Sequence, residues 1–203
     1  MLVKHNNNSI SDLTSAGQLA QGKMTLISSQ TASGSASIEF TSGIDSTYPI
    51  YRFEFINVHP SAQGSGESFS VNFRDGGTDY DATKTTTVFT AYHREDDSVT
   101  SLAYRDDDIA QGTGFQLLCT DNSTDADHGS SGELWLFNPS STTFVKHFMA
   151  RTSPTHTGDY AFDYNVAGYC NTTTAIDGVQ FKYLNGSASI ETGTIKLYGI
   201  KGD

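Results

Sequence analysis

Two alternating runs decide the fold of this chain: Gly178-Val-Gln-Phe-Lys-Tyr-Leu184 and Gly193-Thr-Ile-Lys-Leu-Tyr-Gly-Ile200. In both runs apolar side chains alternate with polar ones, as in a strand with one buried and one solvated face. The inward side chains are Val179, Phe181 and Tyr183 in the first run and Ile195 and Leu197 in the second. Between the runs, Asn185-Gly186 predicts a turn. Because the second run is too apolar to remain free, we expect it to lie inside a sheet, beside strands made earlier, and to close the domain.

The same alternation recurs upstream, from residue 24 onward. The predicted strands cover 24–28, 35–41, 50–58, 69–73, 85–92, 99–104, 115–119, 133–137, 144–150 and 160–167. Turn signals separate these strands about every ten residues. The sequence has neither a convincing long helix nor a repeat with a period of about 20–50 residues. This spacing favours an all-β fold, a jelly-roll-like antiparallel β-sandwich over residues 23–203, and disfavours a parallel α/β fold.

Two prolines and one polar stretch are expected to interrupt these strands. Pro60 should end the strand that begins at Ile50, and Pro154 should separate two strands, because proline cannot donate to a ladder. We interpret residues 120–132 as a long acidic and polar loop that faces solvent.

Composition and charge narrow the class of protein. The chain has 203 residues and a formal net charge of −11, so its surface repels phosphate backbones and nucleic-acid binding is not expected. A basic partner surface or divalent cations would suit this charge better. With 12 Phe and 10 Tyr, the chain has enough large side chains to build a core and is not a disordered protein.

The sequence gives no sign of a membrane or secretory segment. No stretch approaches the about 20 apolar residues of a membrane span, and the first eight residues lack the apolar region of a secretory signal. We therefore expect synthesis in a cytoplasm. Cys119 and Cys170 each lie at the end of a predicted strand, and a bridge between them is one alternative. Two cysteines do not make a disulfide framework, so we expect both to be reduced.

Residues 1–22 differ from the rest of the chain because they are polar with scattered apolar side chains. These apolar side chains are Leu2, Val3, Ile10, Leu13 and Leu19. Two interpretations stay open at this point. The segment is either a disordered tail or an N-terminal arm that orders only against a partner, with the five apolar side chains as its anchors.

Catalytic and cofactor motifs are absent from the sequence. There is no nucleophile elbow, zinc-protease motif or phosphate-binding loop, so we expect neither an enzyme nor a cofactor or obligatory metal. His93, close to Glu95 and Asp97, is the one candidate for acid–base chemistry, although charged loops of this kind are usually solvated. His147 is interpreted as an ordinary histidine on a strand.

One acidic stretch has the composition of a calcium loop. Asp121, Asp125 and Asp127 provide spaced carboxylates, and Gly129 follows them. Calcium needs several oxygen ligands that converge on one hard cation. The spacing is not that of an EF-hand and the closing glutamate is absent, so we prefer a solvated loop and keep calcium as the alternative.

Tyrosines near strand ends and loops suggest a second kind of ligand, since an exposed ring on a β-sandwich can stack on a sugar. The candidates are Tyr48, Tyr51, Tyr80, Tyr92, Tyr104 and Tyr169. The sequence does not indicate which of these rings face outward, so glycan binding stays an alternative.

Four stretches carry a resemblance to a known family. They are Thr25-Leu-Ile-Ser-Ser-Gln-Thr-Ala-Ser-Gly-Ser-Ala-Ser-Ile-Glu-Phe-Thr-Ser-Gly-Ile-Asp-Ser-Thr-Tyr48, Phe55-Ile-Asn-Val-His-Pro60, Phe137-Asn-Pro-Ser-Ser-Thr-Thr-Phe-Val-Lys-His-Phe148 and Gly193-Thr-Ile-Lys-Leu-Tyr-Gly-Ile200. They resemble small virion structural proteins of tailed bacteriophages, notably phages of cyanobacteria and aquatic bacteria. The resemblance runs from about residue 24 to residue 201. It rests on whole stretches of sequence and not on a catalytic motif, so it implies a family and not a site.

The resemblance implies a jelly-roll-like domain on the virion surface of a phage. Some proteins of this kind are capsid decoration or cement proteins, commonly homotrimers bound to the major capsid protein, and the polar arm suits that role. The alternative is a tail-fibre or receptor-binding component that recognises host-surface glycans. A polysaccharide-degrading enzyme fits least, because the carboxylate context of such an enzyme is missing.

Overall fold

The computed structural model describes residues 24–62, 67–184 and 188–201, and these residues form strands and no helix. The strands are β1 (Met24–Thr31), β2 (Ile38–Phe40), β3 (Ile50–Pro60), β4 (Ser68–Arg74), β5 (Lys84–Arg94), β6 (Thr100–Tyr104), β7 (Gln116–Leu117), β8 (Ser130–Phe137), β9 (Lys146–His156), β10 (Tyr160–Cys170), β11 (Gly178–Leu184) and β12 (Ile190–Ile200).

The strands form two antiparallel sheets with one core between them. The large sheet has eight strands in the order β1-β12-β3-β8-β9-β10-β5-β6. The small sheet has four strands in the order β2-β11-β4-β7. This arrangement confirms the predicted all-β antiparallel β-sandwich.

The two runs near the end of the chain enter different sheets. β11 lies between β2 and β4 in the small sheet, and β12 lies between β1 and β3 in the large sheet. The five side chains predicted to face inward are all buried. The prediction that the last strand lies inside a sheet beside earlier strands is therefore confirmed. The predicted turn at Asn185-Gly186 and the arm over residues 1–22 lie outside the described residues.

Phe181 of β11 lies at the centre of the core. Its ring centroid is 5.3 Å from that of Phe53 and 5.2 Å from that of Phe55, both on β3 of the opposite sheet. Within its own sheet it lies 6.3 Å from Phe40 and 5.9 Å from Phe69. Most of these pairs are edge-to-face, the arrangement that aromatic quadrupoles favour. One aromatic cluster therefore joins the two sheets.

The prolines interrupt the sheet less than predicted. β3 does end at Pro60, but Pro154 lies within β9, where it pairs with Ser130 of β8. On the other side, the ladder to β10 skips Ser153 and Pro154, which is where the missing proline N–H would be needed. The hairpin to β10 instead turns at residues 157–159. The prediction that Pro154 separates two strands was wrong, because Pro154 interrupts the pairing with β10 and keeps the pairing with β8.

The strand predicted over 115–119 is reduced to the two residues of β7. Gln116, Leu118 and Cys119 are fully buried, so the buried side chains of this stretch do not simply alternate. The Gln116 amide accepts a hydrogen bond from the Thr86 hydroxyl at 2.6 Å and donates to the Asp107 carbonyl at 3.1 Å. A buried polar side chain with its hydrogen bonds satisfied leaves no trace in hydrophobic periodicity.

The loop predicted over 120–132 is not solvent-facing throughout. Asn122 and Ser123 are 1% and 3% exposed, and the last residues of the stretch already belong to β8. The Asn122 N–H donates to the Glu67 carbonyl at 3.1 Å, and the Ser123 N–H donates to the Thr155 carbonyl at 3.0 Å. Polar residues therefore close this end of the sandwich through backbone hydrogen bonds.

Candidate functional site

The site residues predicted from the sequence do not gather in one place. The predicted anchoring residues Leu2, Val3, Ile10, Leu13 and Leu19 lie outside the described residues. The acidic stretch, the histidines and the tyrosines fall on separate parts of the sandwich.

The carboxylates of the candidate calcium loop each face a histidine. Asp121 lies 3.6 Å from the His156 ring, and Asp125 and Asp127 lie 3.7 and 3.8 Å from the two nitrogens of His128. Within the residues that the structure describes, no three His, Cys, Asp or Glu side chains form a group that could hold a metal. The three aspartates of the stretch thus do not converge on a common point.

The two histidines singled out in the sequence lie on the surface. His93 Nε2 is 2.9 Å from Asp97 Oδ1, and both side chains are exposed at a turn. The structure brings His93 and Asp97 together. The contact of Glu95 is a backbone hydrogen bond, in which its N–H donates to the Asp159 carbonyl. His147 lies on β9 with its ring 5.9 Å from that of Tyr169.

The candidate tyrosines have different environments. Tyr51 is fully buried, and its hydroxyl donates to the Asp45 carbonyl at 3.0 Å. Tyr104 is 63% exposed and its hydroxyl donates to Asp108 at 2.7 Å. The other contacts are Tyr48 with Tyr51, Tyr80 with Glu39, Tyr92 with Phe162 and Tyr169 with His147. Of the six, Tyr104 and Tyr169 lie on the face of the large sheet that is turned away from the small sheet.

This outer face of the large sheet carries two cross-strand rows of side chains, which the pairing register defines. The tryptophan row runs through Leu26, Tyr198, Arg52, Trp135, Met149, Ala167 and Thr87. The glutamate row runs beside it through Lys196, Glu54, Glu133, Arg151, Asn165, Phe89 and Tyr104. The outer face therefore places an apolar row directly against a polar one.

Large apolar side chains are unusually exposed on this face. Met24, Leu26, Phe89, Leu102, Tyr104 and Met149 are between 45% and 74% exposed. They lie at the β1 edge (Met24 and Leu26), on the central strand β9 (Met149) and at the β5–β6 edge (Phe89, Leu102 and Tyr104). Large exposed apolar side chains that share one face are a mark of an interaction surface. The outer face is therefore the candidate functional surface of the described residues.

A groove lies between the two rows and is called the Trp135 groove below. It has a volume of about 430 Å³ and is lined by Thr87, Phe89, Glu133, Trp135, Phe137, Met149, Ala150, Arg151, Asn165, Val166 and Ala167. It is concave because the small side chain of Ala167 lies between larger neighbours. A second depression of about 560 Å³ adjoins it and shares Phe137, Met149 and Ala167.

Ion pairs fix the polar side chains around the Trp135 groove. Arg52 Nε is 2.7 Å from Glu133 Oε2, and the Arg52 guanidinium lies 5.6 Å from the centre of the Trp135 ring. Arg151 donates to both Asp163 oxygens, at 2.7 and 2.8 Å. These hydrogen bonds lower the pKa of Asp163 below its usual range. The carboxylates and guanidinium groups around the groove are thus paired with one another and held in place.

Sequence reasoning missed this surface, although β8 carried a signal for it. Leu134 and Leu136 fill the core, but Trp135 and Phe137 alternate with them and face outward. A strand that is apolar on both faces in an antiparallel sheet predicts that the second face is also covered or used.

A second polar cluster lies inside the sandwich, in a row across β5, β10 and β9. Lys84 pairs with Cys170, which pairs with Lys146, and all three are fully buried. Lys84 Nζ donates to the Gly114 carbonyl at 2.7 Å, and Lys146 Nζ donates to the Thr172 carbonyl at 3.0 Å. Burial raises the pKa of Cys170 to about 12 and lowers the pKa of Lys84 to about 8.

Both cysteines are free and buried. Burial also raises the pKa of Cys119, to about 11, so neither thiol forms the reactive thiolate at neutral pH. Neither side chain is therefore a candidate nucleophile.

Lys84→Met is expected to stabilise the protein at pH 7 by about 2 kcal/mol, because the relief from burying a charged amine exceeds the loss of its hydrogen bond to the Gly114 carbonyl. The folded state releases this proton near pH 8, whereas the unfolded chain keeps it until about pH 10.5. The stability of the parent protein relative to the variant should therefore rise across that interval. Urea unfolding at pH 7, 8.5 and 10 checks this trend, with Lys196→Met on the outer face as the control. A stability difference that does not change with pH would contradict the assignment.

Neither a protein-family model nor a curated protein matches this sequence. Among the described residues, no helix could cross a membrane.

Proposed function

We propose that the protein is a phage virion structural protein, most specifically a capsid decoration protein. It binds the outer surface of the capsid as a homotrimer, contacts the major capsid protein and stabilises the shell. The observation that carries this proposal is the broad outer face of the large sheet, with six large apolar side chains at 45% to 74% exposure. The sequence resemblance to virion structural proteins supports it. In this role the protein acts by binding and not by catalysis.

The N-terminal arm is the proposed anchor on the capsid. Its side chains carry one positive charge, Lys4, and one negative charge, Asp12, whereas the chain as a whole has a net charge of −11. An arm without net charge is not repelled by a partner surface of either sign. Its scattered apolar side chains can each fill a small pocket on the partner.

Three arms bind better than one. Ordering an arm costs on the order of 1–2 kcal/mol per residue in backbone entropy, so a single arm binds weakly. In a trimer the second and third arms bind at high effective concentration, which raises the apparent affinity by roughly 10²–10⁴. The proposal therefore links capsid binding to trimer formation.

Deletion of residues 1–22 is expected to abolish capsid binding and to leave the trimer intact. The measurement is co-sedimentation with capsids that lack the protein, and analytical ultracentrifugation gives the oligomeric state. A matched control keeps the length of the arm and replaces its anchors, with Ile10→Ser, Leu13→Ser and Leu19→Ser together. This variant should bind as poorly as the deletion. Full binding without the arm would reject the anchor, and a monomeric parent protein would reject the trimer.

A tail-fibre or receptor-binding component is the second candidate function. The observation that favours it is the Trp135 groove, which combines aromatic and hydrogen-bonding side chains. The number of copies per virion separates the two candidates: hundreds of copies indicate the capsid, and a few dozen or fewer indicate the tail.

A further inference from the structure

The Trp135 groove combines an aromatic surface with free hydrogen-bonding atoms. The apolar walls of the groove are Trp135, Phe137 and Phe89. Met149 pairs with Trp135 on one side and with Ala167 on the other. The Arg52 guanidinium lies over the Trp135 ring, and this cation–π contact holds the two side chains in place. An aromatic wall of this kind stacks on flat ligands that expose C–H groups on one side.

Four polar atoms at the groove have no hydrogen-bond partner among the described residues. Glu133 uses one carboxylate oxygen on Arg52 and leaves Oε1 unused. Arg151 uses Nε and Nη2 on Asp163, which leaves Nη1. Asn165 donates its amide nitrogen to Asp163, which leaves Oδ1. The Trp135 indole N–H donates to none of the residues that the structure describes. Two donors and two acceptors therefore belong to residues that line one groove.

The charge around the groove argues against an ionic ligand. Three basic and three acidic side chains surround the groove, so their charges cancel. The basic ones are Arg52, Arg151 and Lys196, and the acidic ones are Glu54, Glu133 and Asp163. This balance is local, because the whole chain has a net charge of −11. A nucleotide or other polyanion would meet the acidic surroundings unfavourably, and a cation would find its carboxylates already paired.

We propose that the Trp135 groove binds a neutral saccharide chain. A sugar ring has a C–H face that stacks on an aromatic side chain and hydroxyl groups that both donate and accept. Those are the complementary groups for the indole, the Glu133 and Asn165 oxygens and the Arg151 guanidinium. The adjoining depression extends the surface along β9 and β10, so more than one sugar unit can bind. This site goes beyond the proposed capsid binding, because neither the arm nor the trimer requires a saccharide ligand.

The position of Trp135 makes the test direct, since it is the single Trp of the chain. Its fluorescence is titrated in the full-length protein with four neutral oligosaccharides: maltohexaose, cellohexaose, mannohexaose and chitohexaose. An anionic alginate hexasaccharide serves as the charged comparison. Titration to about 10 mM detects even millimolar affinity. We expect a saturable change in emission with at least one neutral oligosaccharide and none with alginate.

Variants then locate the binding. Asn165→Ala and Glu133→Gln should each raise the Kd from the fluorescence titration at least about tenfold, which is about 1.4 kcal/mol. Trp135→Ala should abolish binding measured by calorimetry. Phe144→Ala is the matched control, because Phe144 is 68% exposed and does not line the groove. Thermal melts verify that each variant is folded.

Three results would overturn the proposal: no response to any of the four neutral oligosaccharides, a stronger response to alginate, or unchanged binding in Trp135→Ala. None of these results bears on capsid binding by the arm. Failure of the groove and failure of the proposed function are therefore distinguishable.

Discussion

Deletion of residues 193–203 is expected to abolish the soluble fold. β12 lies between β1 and β3, so its removal separates the edge strand β1 from the large sheet. It also removes the fully buried Ile195 and Leu197 and exposes the ladder groups of β3. A long apolar strand edge left open in this way promotes aggregation.

The measurement is the soluble fraction after expression, followed by sedimentation of whatever remains in solution. Deletion of residues 201–203 alone is the matched control. It leaves β12 complete, and the control should stay soluble. A soluble 193–203 deletion that melts cooperatively would mean that β12 is peripheral to the stability of the domain.

Phe181→Ala is expected to lower the free energy of unfolding by about 3–5 kcal/mol, because it leaves a cavity in the aromatic cluster that joins the sheets. For a domain of this size that loss corresponds to a decrease in Tm of roughly 10 °C. Four aromatic rings lose a neighbour at once, and a packed core relaxes only partly around such a cavity.

Chemical denaturation with urea checks the magnitude. Phe144→Ala removes the same side chain from an exposed position and should change stability by less than about 0.5 kcal/mol. Phe181→Leu should fall between the two, since it keeps part of the buried volume. A loss below about 1 kcal/mol in Phe181→Ala would show that the cluster does not hold the sheets together.

Strand alternation predicted the fold correctly wherever one face is apolar and buried. β11 and β12 are the clearest examples, because Phe181 and Leu197 are fully buried at the predicted positions. Period-2 alternation depends only on local geometry, so it is readable without knowing the partner strand. It does not reveal which sheet each strand joins, and the separation of β11 and β12 into different sheets could not be predicted.

Buried polar residues account for most of the errors. Three polar side chains of types usually found in loops or on the surface are buried. The exposed fractions are 0% for Gln116, 1% for Asn122 and 0% for Lys84. Their burial depends on hydrogen bonds to carbonyls or side chains that are remote in sequence, such as the one from Lys84 to Gly114. Such partners exist only after the fold has formed, so no local pattern encodes them.

The candidate site was the least predictable part. The tyrosines were considered for sugar binding, but the outward ring at the centre of the large sheet is Trp135. The groove needs Trp135 of β8, Met149 of β9 and Ala167 of β10 in register. This juxtaposition is a property of strand order, which the sequence does not show.

The position of β12 also sets the order of events during synthesis. Its partners β1 and β3 are made long before it, and Thr31 and Thr194, which are hydrogen bonded across β1 and β12, are 163 residues apart in sequence. Before β12 is made, β1 has no partner in the large sheet, and β3 can pair with β8 but not on its other edge. Contacts this distant in sequence form slowly, and incomplete chains expose unpaired edges. The edges of β1 and β3 that β12 covers therefore stay exposed until residues 190–200 are available for pairing.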